Sequence, residues 1–159
     1  MSLLLRETWG PPLWKIIHIF AAKSGQITNK IIEDDEAHAW INLLKTLENI
    51  MPCALCVGHY KAFLKKYNIN SLLAYRGLTR KNWLIDFWYN LHNEVNLRSN
   101  KSAFSKDDLN IYEDSSYFTD AIELIKSVVA KGIEQGVLKM IVSKNCLARI
   151  EKLRRIYGL

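Results

Sequence analysis

Apolar residues recur along this chain at intervals of three and four, the spacing that lines one face of an α-helix. No stretch alternates apolar and polar positions as a half-buried strand would. Leu13, Trp14, Ile17, Phe20 and Ala21 form the first stripe, with Gly10-Pro11-Pro12 before it and Ser24-Gly25 after Lys23. The spacing predicts a helix that opens on the prolines, which a first turn tolerates because its amides have no helical partner. Trp40, Leu43, Leu44 and Leu47 mark a second helix over about 34–49. Glu33, Asp34, Asp35 and Glu36 crowd its start, where the helix dipole favours negative charge. Met51-Pro52 breaks the chain, and a third helix runs from Cys53 to Lys66. All three prolines thus stand at helix starts.

Asn68, Asn70, Arg76 and Gly77 read as a loop. Thr79 reads as the N-cap of a fourth helix. That helix carries Trp83, Phe87, Trp88, Leu91 and Val95 and ends near Arg98. Residues 99–106 are polar and read as a loop, and 107–113 as a short helix. Residues 116–158 read as two further helices interrupted by Gly132 and Gly136, with an apolar stripe of Val137, Ile141, Leu147, Ile150 and Leu153. The expected class is all-α: a four-helix bundle with a short fifth helix over residues 1–113, and a helical C-terminal extension over 114–159.

Composition narrows the class of function. The 159 residues suit one domain, and no apolar run reaches membrane-spanning length. The start, MSLLLRETWG, lacks the basic region and the long apolar stretch of a secretion signal. The expected setting is cytoplasmic, with no membrane partner. Net charge is +6, split evenly: residues 1–113 hold 14 basic and 11 acidic groups, and 114–159 hold 8 and 5. Only Lys152-Leu153-Arg154-Arg155 clusters positive charge. A solvated helix end accounts for it, and no nucleic-acid partner is expected.

The cysteines carry more. Cys53 and Cys56 form a C-x-x-C pair where a helix begins, and Cys146 stands ninety residues beyond. Helix N-termini present unpaired N–H groups and partial positive charge. Both stabilise a thiolate, so the pair suits thiol–disulfide exchange. Two other readings stay open: zinc held by Cys53, Cys56 and His59, which lacks an evident fourth ligand, and two inert buried cysteines. On the fourth helix Trp88, His92 and Asn96 share one face, with Asn93 beside them. On the first, Trp14 and His18 are four apart. Either helix alone reads as core packing with a bonded histidine. Two of them flanking a C-x-x-C helix point to a planar cofactor held beside a redox pair.

These segments, in this order, resemble the Erv/ALR sulfhydryl oxidases over roughly residues 6–113. Arg6 with Trp9-Gly10-Pro11-Pro12-Leu13-Trp14-Lys15-Ile16-Ile17-His18 is similar to the family's first flavin segment. Pro52-Cys53-Ala54-Leu55-Cys56-Val57-Gly58-His59 is similar to its active-site segment, and Leu91-His92-Asn93-Glu94-Val95-Asn96 with Lys101 to its second flavin segment. The resemblance implies FAD as cofactor and no metal. It places Cys56 against the flavin and lets Cys53 exchange with an incoming dithiol. It implies FAD contacts from Trp14, His18, His59, His92, Asn93, Asn96 and Lys101, with Arg6, Gly10, Tyr89, Val95, Arg98 and Tyr112 as further candidates. It implies a thiol protein as substrate, thioredoxin-like or viral, oxygen as acceptor, hydrogen peroxide as product, and a homodimer through the first two helices. The compact form is similar to versions from large DNA viruses, which act in the host cytoplasm or virion. A structural disulfide found in many members would fall at Tyr89 and about Lys106, and is absent here. The tail holds only Cys146, too few for an internal shuttle pair.

Overall fold

The computed structural model describes residues 2–159 and is all-α, with no strand among the described residues. Its α-helices are α1 (Arg6–Lys23), α2 (Lys30–Thr46), α3 (Ala54–Leu64), α4 (Gly77–Arg98), α5 (Phe118–Glu134) and α6 (Met140–Ile156). Three 3-10 segments join them: Leu47–Ile50, Ile69–Leu73 and Lys106–Glu113.

The helix starts differ from those the sequence predicts. Helix α1 opens at Arg6, so Pro11 and Pro12 lie inside it. The Leu5 carbonyl accepts from the Thr8 and Trp9 amides at 2.9 and 3.1 Å, which starts the helix upstream. The buried series Trp9, Leu13, Ile16, Ile17, Phe20 then carries one apolar face back past the prolines. Helix α2 opens four residues earlier than its acidic cluster suggests, because the Asn29 side chain accepts from the Ile31 and Ile32 amides. Thr79 is not an N-cap: α4 opens at Gly77 after extended Arg76. Gly77 has a positive φ of 53°, and its carbonyl lies where a Cβ on Gly25 would sit, so the end of α1 and the start of α4 meet backbone to backbone. The 106–113 segment is 3-10 and begins with a capping box of Ser105 and Asp108.

One continuous core links all six α-helices. Helix α1 packs against α4 and α5, and α2 against α6. Phe20 on α1 is within 5.4 Å of the Phe118 ring and 5.7 Å of the Tyr157 ring. Tyr157 also reaches a buried polar network. Its hydroxyl donates to Glu36 Oε2 at 2.7 Å and accepts from Trp40 Nε1 at 2.7 Å. Glu36 Oε1 in turn takes Arg80 Nη1 at 2.8 Å, with both side chains fully buried. The 114–159 segment therefore completes the interior between α1 and α2. The predicted C-terminal stripe divides: Ile150 and Leu153 are buried, whereas Val137 and Ile141 face outward. In the basic cluster Arg154 bonds the Leu159 carbonyl and pairs with Glu151. No helix among the described residues is long and apolar enough to cross a membrane.

Candidate active site

Pro52 ends the extended link after Ile50, and Cys53 (φ −152°, ψ 103°) is the N-cap of α3. Its Sγ accepts from the Cys56 amide at 3.2 Å, as a serine or aspartate oxygen would at that position. One turn brings the Cα atoms to 5.2 Å, and Cys53 and Cys56 are joined in a disulfide. Reduction of this bond leaves both sulfurs at a helix N-terminus, where a thiolate is favoured. The pair is therefore built to exchange with another dithiol.

Behind Cys56 lies a cavity of about 150 Å³ between α1, α3 and α4. Leu13 and Trp14 form one wall, Trp88 and Leu91 another, and Cys56 and His59 a third. Cys53 does not reach it. The two cysteines thus differ: Cys56 lines the cavity, and Cys53, bonded to it, does not. Trp9 and Trp88 also line the cavity, and their indole N–H groups are buried without a hydrogen-bond partner. Buried donors without partners are costly, so the cavity suits a flat apolar ligand with acceptor atoms on its edge.

A second cavity of about 410 Å³ shares Arg6, Gly10, Trp14, Val95 and Ser99 with the first. It adds His92, Asn96, Lys101 and Tyr112. Arg6, Arg98 and Lys101 border the two cavities and Glu7 borders the second, so a ligand spanning both meets a net positive rim. Aromatic rings fill the space between α1 and α4. Trp14 and His92 stack at 4.0 Å with a 5° tilt, and His18 stacks on Tyr112 at 4.6 Å. His18 Nε2 and His92 Nδ1 are 2.8 Å apart. Burial, and then the neighbouring His92, lowers the His18 pKa to about 3. Burial, and then Lys101, lowers that of His92 to about 4. Both rings are neutral near pH 7, so the pair offers one hydrogen bond and no charge.

Most of the residues picked from the sequence converge here. Cys56, Arg6, Gly10, Trp14, His59, His92, Val95, Asn96, Arg98, Lys101 and Tyr112 line one cavity or both. His18 sits one ring behind, bonded to His92. Two residues point elsewhere. Both amide groups of Asn93 are taken by the Phe104 backbone, at 3.1 and 3.0 Å. Tyr89 packs edge-on against Phe104, with Lys106 Nζ 5.7 Å above its ring. The zinc reading lacks its ligands: the sulfurs bind each other, and no cluster of three metal-binding side chains occurs among the described residues. Sequence reasoning missed Met51, Tyr60 and Ser99 on the first cavity wall, and quoted Trp9 in the first flavin-like segment without giving it a contact. Trp9 also carried a signal in the helical pattern, as the residue one turn before Leu13 on the same face.

FAD fits this space. Its ring system is flat and apolar with acceptor edges, matching the walls and the two free indole donors. Its diphosphate suits the bordering Arg6, Arg98 and Lys101.

Comparison with known proteins agrees. The model of the Erv1/Alr family matches residues 11–115. An FAD-linked sulfhydryl oxidase of African swine fever virus is 33% identical over 108 residues, covering 67% of this chain and 82% of that protein. The 347L protein of Invertebrate iridescent virus 6, described as an FAD-linked sulfhydryl oxidase, is 31% identical over 98 residues, or 58% of this chain and 80% of its own length. No solved structure gives a significant match. With the family model spanning the redox helix and both walls of the cavity, the chain belongs to the Erv1/Alr family.

Proposed function

We propose that this protein is an FAD-dependent thiol oxidase that makes disulfide bonds in partner proteins. The observation that carries this reading is the division of labour at α3: Cys56 faces the cavity and its bonded neighbour Cys53 does not. A thiolate of the partner attacks Cys53 Sγ. The Cys53–Cys56 bond breaks, and Cys56 leaves as a thiolate held by the α3 N-terminus. The partner's second thiolate then attacks its own sulfur in the mixed disulfide, which releases oxidised partner and the Cys53 thiolate. The chain now holds two electrons more, and Cys56 holds them at the cavity wall. FAD held between Trp14 and Trp88 would supply the two-electron acceptor that lets the Cys53–Cys56 bond re-form, with dioxygen, reduced to hydrogen peroxide by the same two electrons and two protons, as the final oxidant.

In this reading Trp14 and Trp88 hold the flat ring, and Arg6, Arg98 and Lys101 hold the diphosphate. His92 and Tyr112 belong with the second cavity. His18 positions His92 rather than touching the ligand. The partner is a thiol protein, and the viral relatives support a virion or host-cytoplasm setting. The face of α1 and α2 that α5 and α6 cover is not available for self-association, so the reading does not include a dimer built on that face. The test is oxygen uptake by flavin-loaded protein given a small dithiol. Wild type consumes oxygen and forms equal peroxide. Cys53→Ser and Cys56→Ser each abolish turnover while leaving the flavin bound. Turnover by Cys56→Ser at the wild-type rate refutes the assignment.

A further inference from the structure

Between α2 and α6 lies a groove of about 460 Å³ that shares no residue with the two cofactor cavities. That is the volume of a small-molecule site. Ala39 and Ala148 line it, and their short side chains leave the space open. Arg149, Lys152 and Arg155 reach it from α6 at intervals of three residues, and Asp35, His38 and Asn42 reach it from α2. The basic run at the end of α6 therefore divides. Arg154 is spent on Glu151 and the Leu159 carbonyl, whereas Lys152 and Arg155 turn to the groove.

The cations of the groove lack partners. Arg76, Arg80, Arg98 and Arg154 each pair with a carboxylate. The side chains of Arg149, Lys152 and Arg155 make no hydrogen bond or ion pair among the described residues. Arg149 is half-buried, and its Nε is closed off from solvent with no hydrogen-bond partner. A buried donor on a charged group costs stability while it stays unpaired. The three charges also stand within about 9 Å along one helix and repel one another. Asp35 is the one carboxylate on the groove, against three cations.

We propose that the α2–α6 groove binds a small molecule carrying two or more linked phosphate groups, with Arg149, Lys152 and Arg155 on the phosphates. This goes beyond the oxidase reading and does not depend on it. Two observations select the ligand. Guanidinium groups match phosphate oxygens through paired hydrogen bonds, and linked phosphates place several negative charges in the short span over which the three cations stand. His38 and Asn42 then face the rest of the molecule with hydrogen-bonding groups. A duplex nucleic acid needs a longer basic track, and here the unpaired cations are confined to one groove with Asp35 among its walls.

The experiment titrates flavin-loaded protein with inorganic pyrophosphate at low ionic strength and follows the heat of binding. Wild type is expected to bind one equivalent without change in its visible flavin spectrum. Arg149→Gln/Lys152→Gln is expected to weaken binding at least about tenfold, because it removes two charge-assisted contacts. Lys152→Gln/Arg155→Gln changes two exposed side chains, so it gives the same reading should the first variant lower the melting temperature. Lys65→Gln/Lys139→Gln removes equal charge from exposed positions outside the groove and should hold the affinity within about twofold. Wild type that takes up no pyrophosphate overturns the inference, as does an equal affinity in wild type and both groove variants. An equal loss in the Lys65/Lys139 variant also overturns it, since net charge alone would then attract the anion. Short duplex DNA bound by wild type in the absence of pyrophosphate binding, and released by the groove variants, overturns it in favour of a nucleic-acid contact.

Discussion

His18 on α1 and His92 on α4 share a single hydrogen bond, Nε2 to Nδ1 at 2.8 Å. One ring donates the proton the other accepts, so at least the accepting ring must be neutral, and burial keeps both of them so near pH 7. Burial lowers the two pKa values to about 3 and about 4, against about 6.5 in the unfolded chain. Below about pH 6.5 the unfolded chain takes up protons that the folded one refuses, so acid favours unfolding. Stability should be level above about pH 7 and fall between about pH 6.5 and 4. His18 alone accounts for a loss of about 2 kcal/mol between about pH 7 and 5. Urea midpoints across this range check it, and His18→Phe should flatten the curve. A midpoint that rises on acidification contradicts the neutral pair.

Tyr157 lies two residues from the chain end, yet its hydroxyl serves both Trp40 and the buried Glu36. Tyr157→Phe keeps the ring against Phe20 and leaves two buried groups short of a partner. The expected loss is about 2–3 kcal/mol, because one of the two bonds goes to a charged group. Denaturant unfolding followed by flavin release should show one transition, shifted as a whole, since the C-terminal helices share the core that holds the cavity.

Cys146 is fully buried, and burial pushes its thiol up to about 12. It cannot supply a thiolate near pH 7. Native protein with the disulfide intact should take up no alkylating reagent, and unfolded protein should take up one equivalent, by mass spectrometry. Cys146→Ser should keep its activity toward a small dithiol. Loss of that activity in a folded variant would place the tail cysteine in the electron path.

Asn93 holds the segment before the 106–113 turn through two hydrogen bonds to Phe104. Asn93→Ala should cost about 1–2 kcal/mol and speed amide exchange over residues 101–106. Flavin affinity should fall with it, because Lys101 and Tyr112 reach the second cavity from this part of the chain.

The sequence made the helical class, the redox pair and the cavity residues legible for a physical reason. Helical periodicity put Trp14, Trp88, His92 and Asn96 on inward faces, and the polar groups among them had no purpose in a plain core. Helix starts were less legible. Side-chain caps such as Asn29 and stripes such as Trp9–Leu13 decide them, and prolines near an exposed first turn do not stop a helix that tertiary packing favours. The acidic run 33–36 looked like a dipole cluster, yet Glu36 turns inward to Arg80, a pairing 44 residues apart that local pattern cannot reveal. Asn93 fell in the right motif but spends both amide groups on Phe104. The outward turn of Ile141 was hidden because apolar residues stand on more than one side of α6, Met140, Ile141 and Val142 among them, so local pattern does not show which stripe is buried until α2 is placed against it.

The central claim is that Cys56 alone hands electrons to the flavin. Under anaerobic conditions, excess dithiothreitol should bleach the visible flavin band of loaded wild type within one turnover. In Cys56→Ser the band should remain at full strength with flavin still bound. Bleaching of Cys56→Ser at the wild-type rate, or a folded wild-type chain that takes up no flavin, would contradict the account.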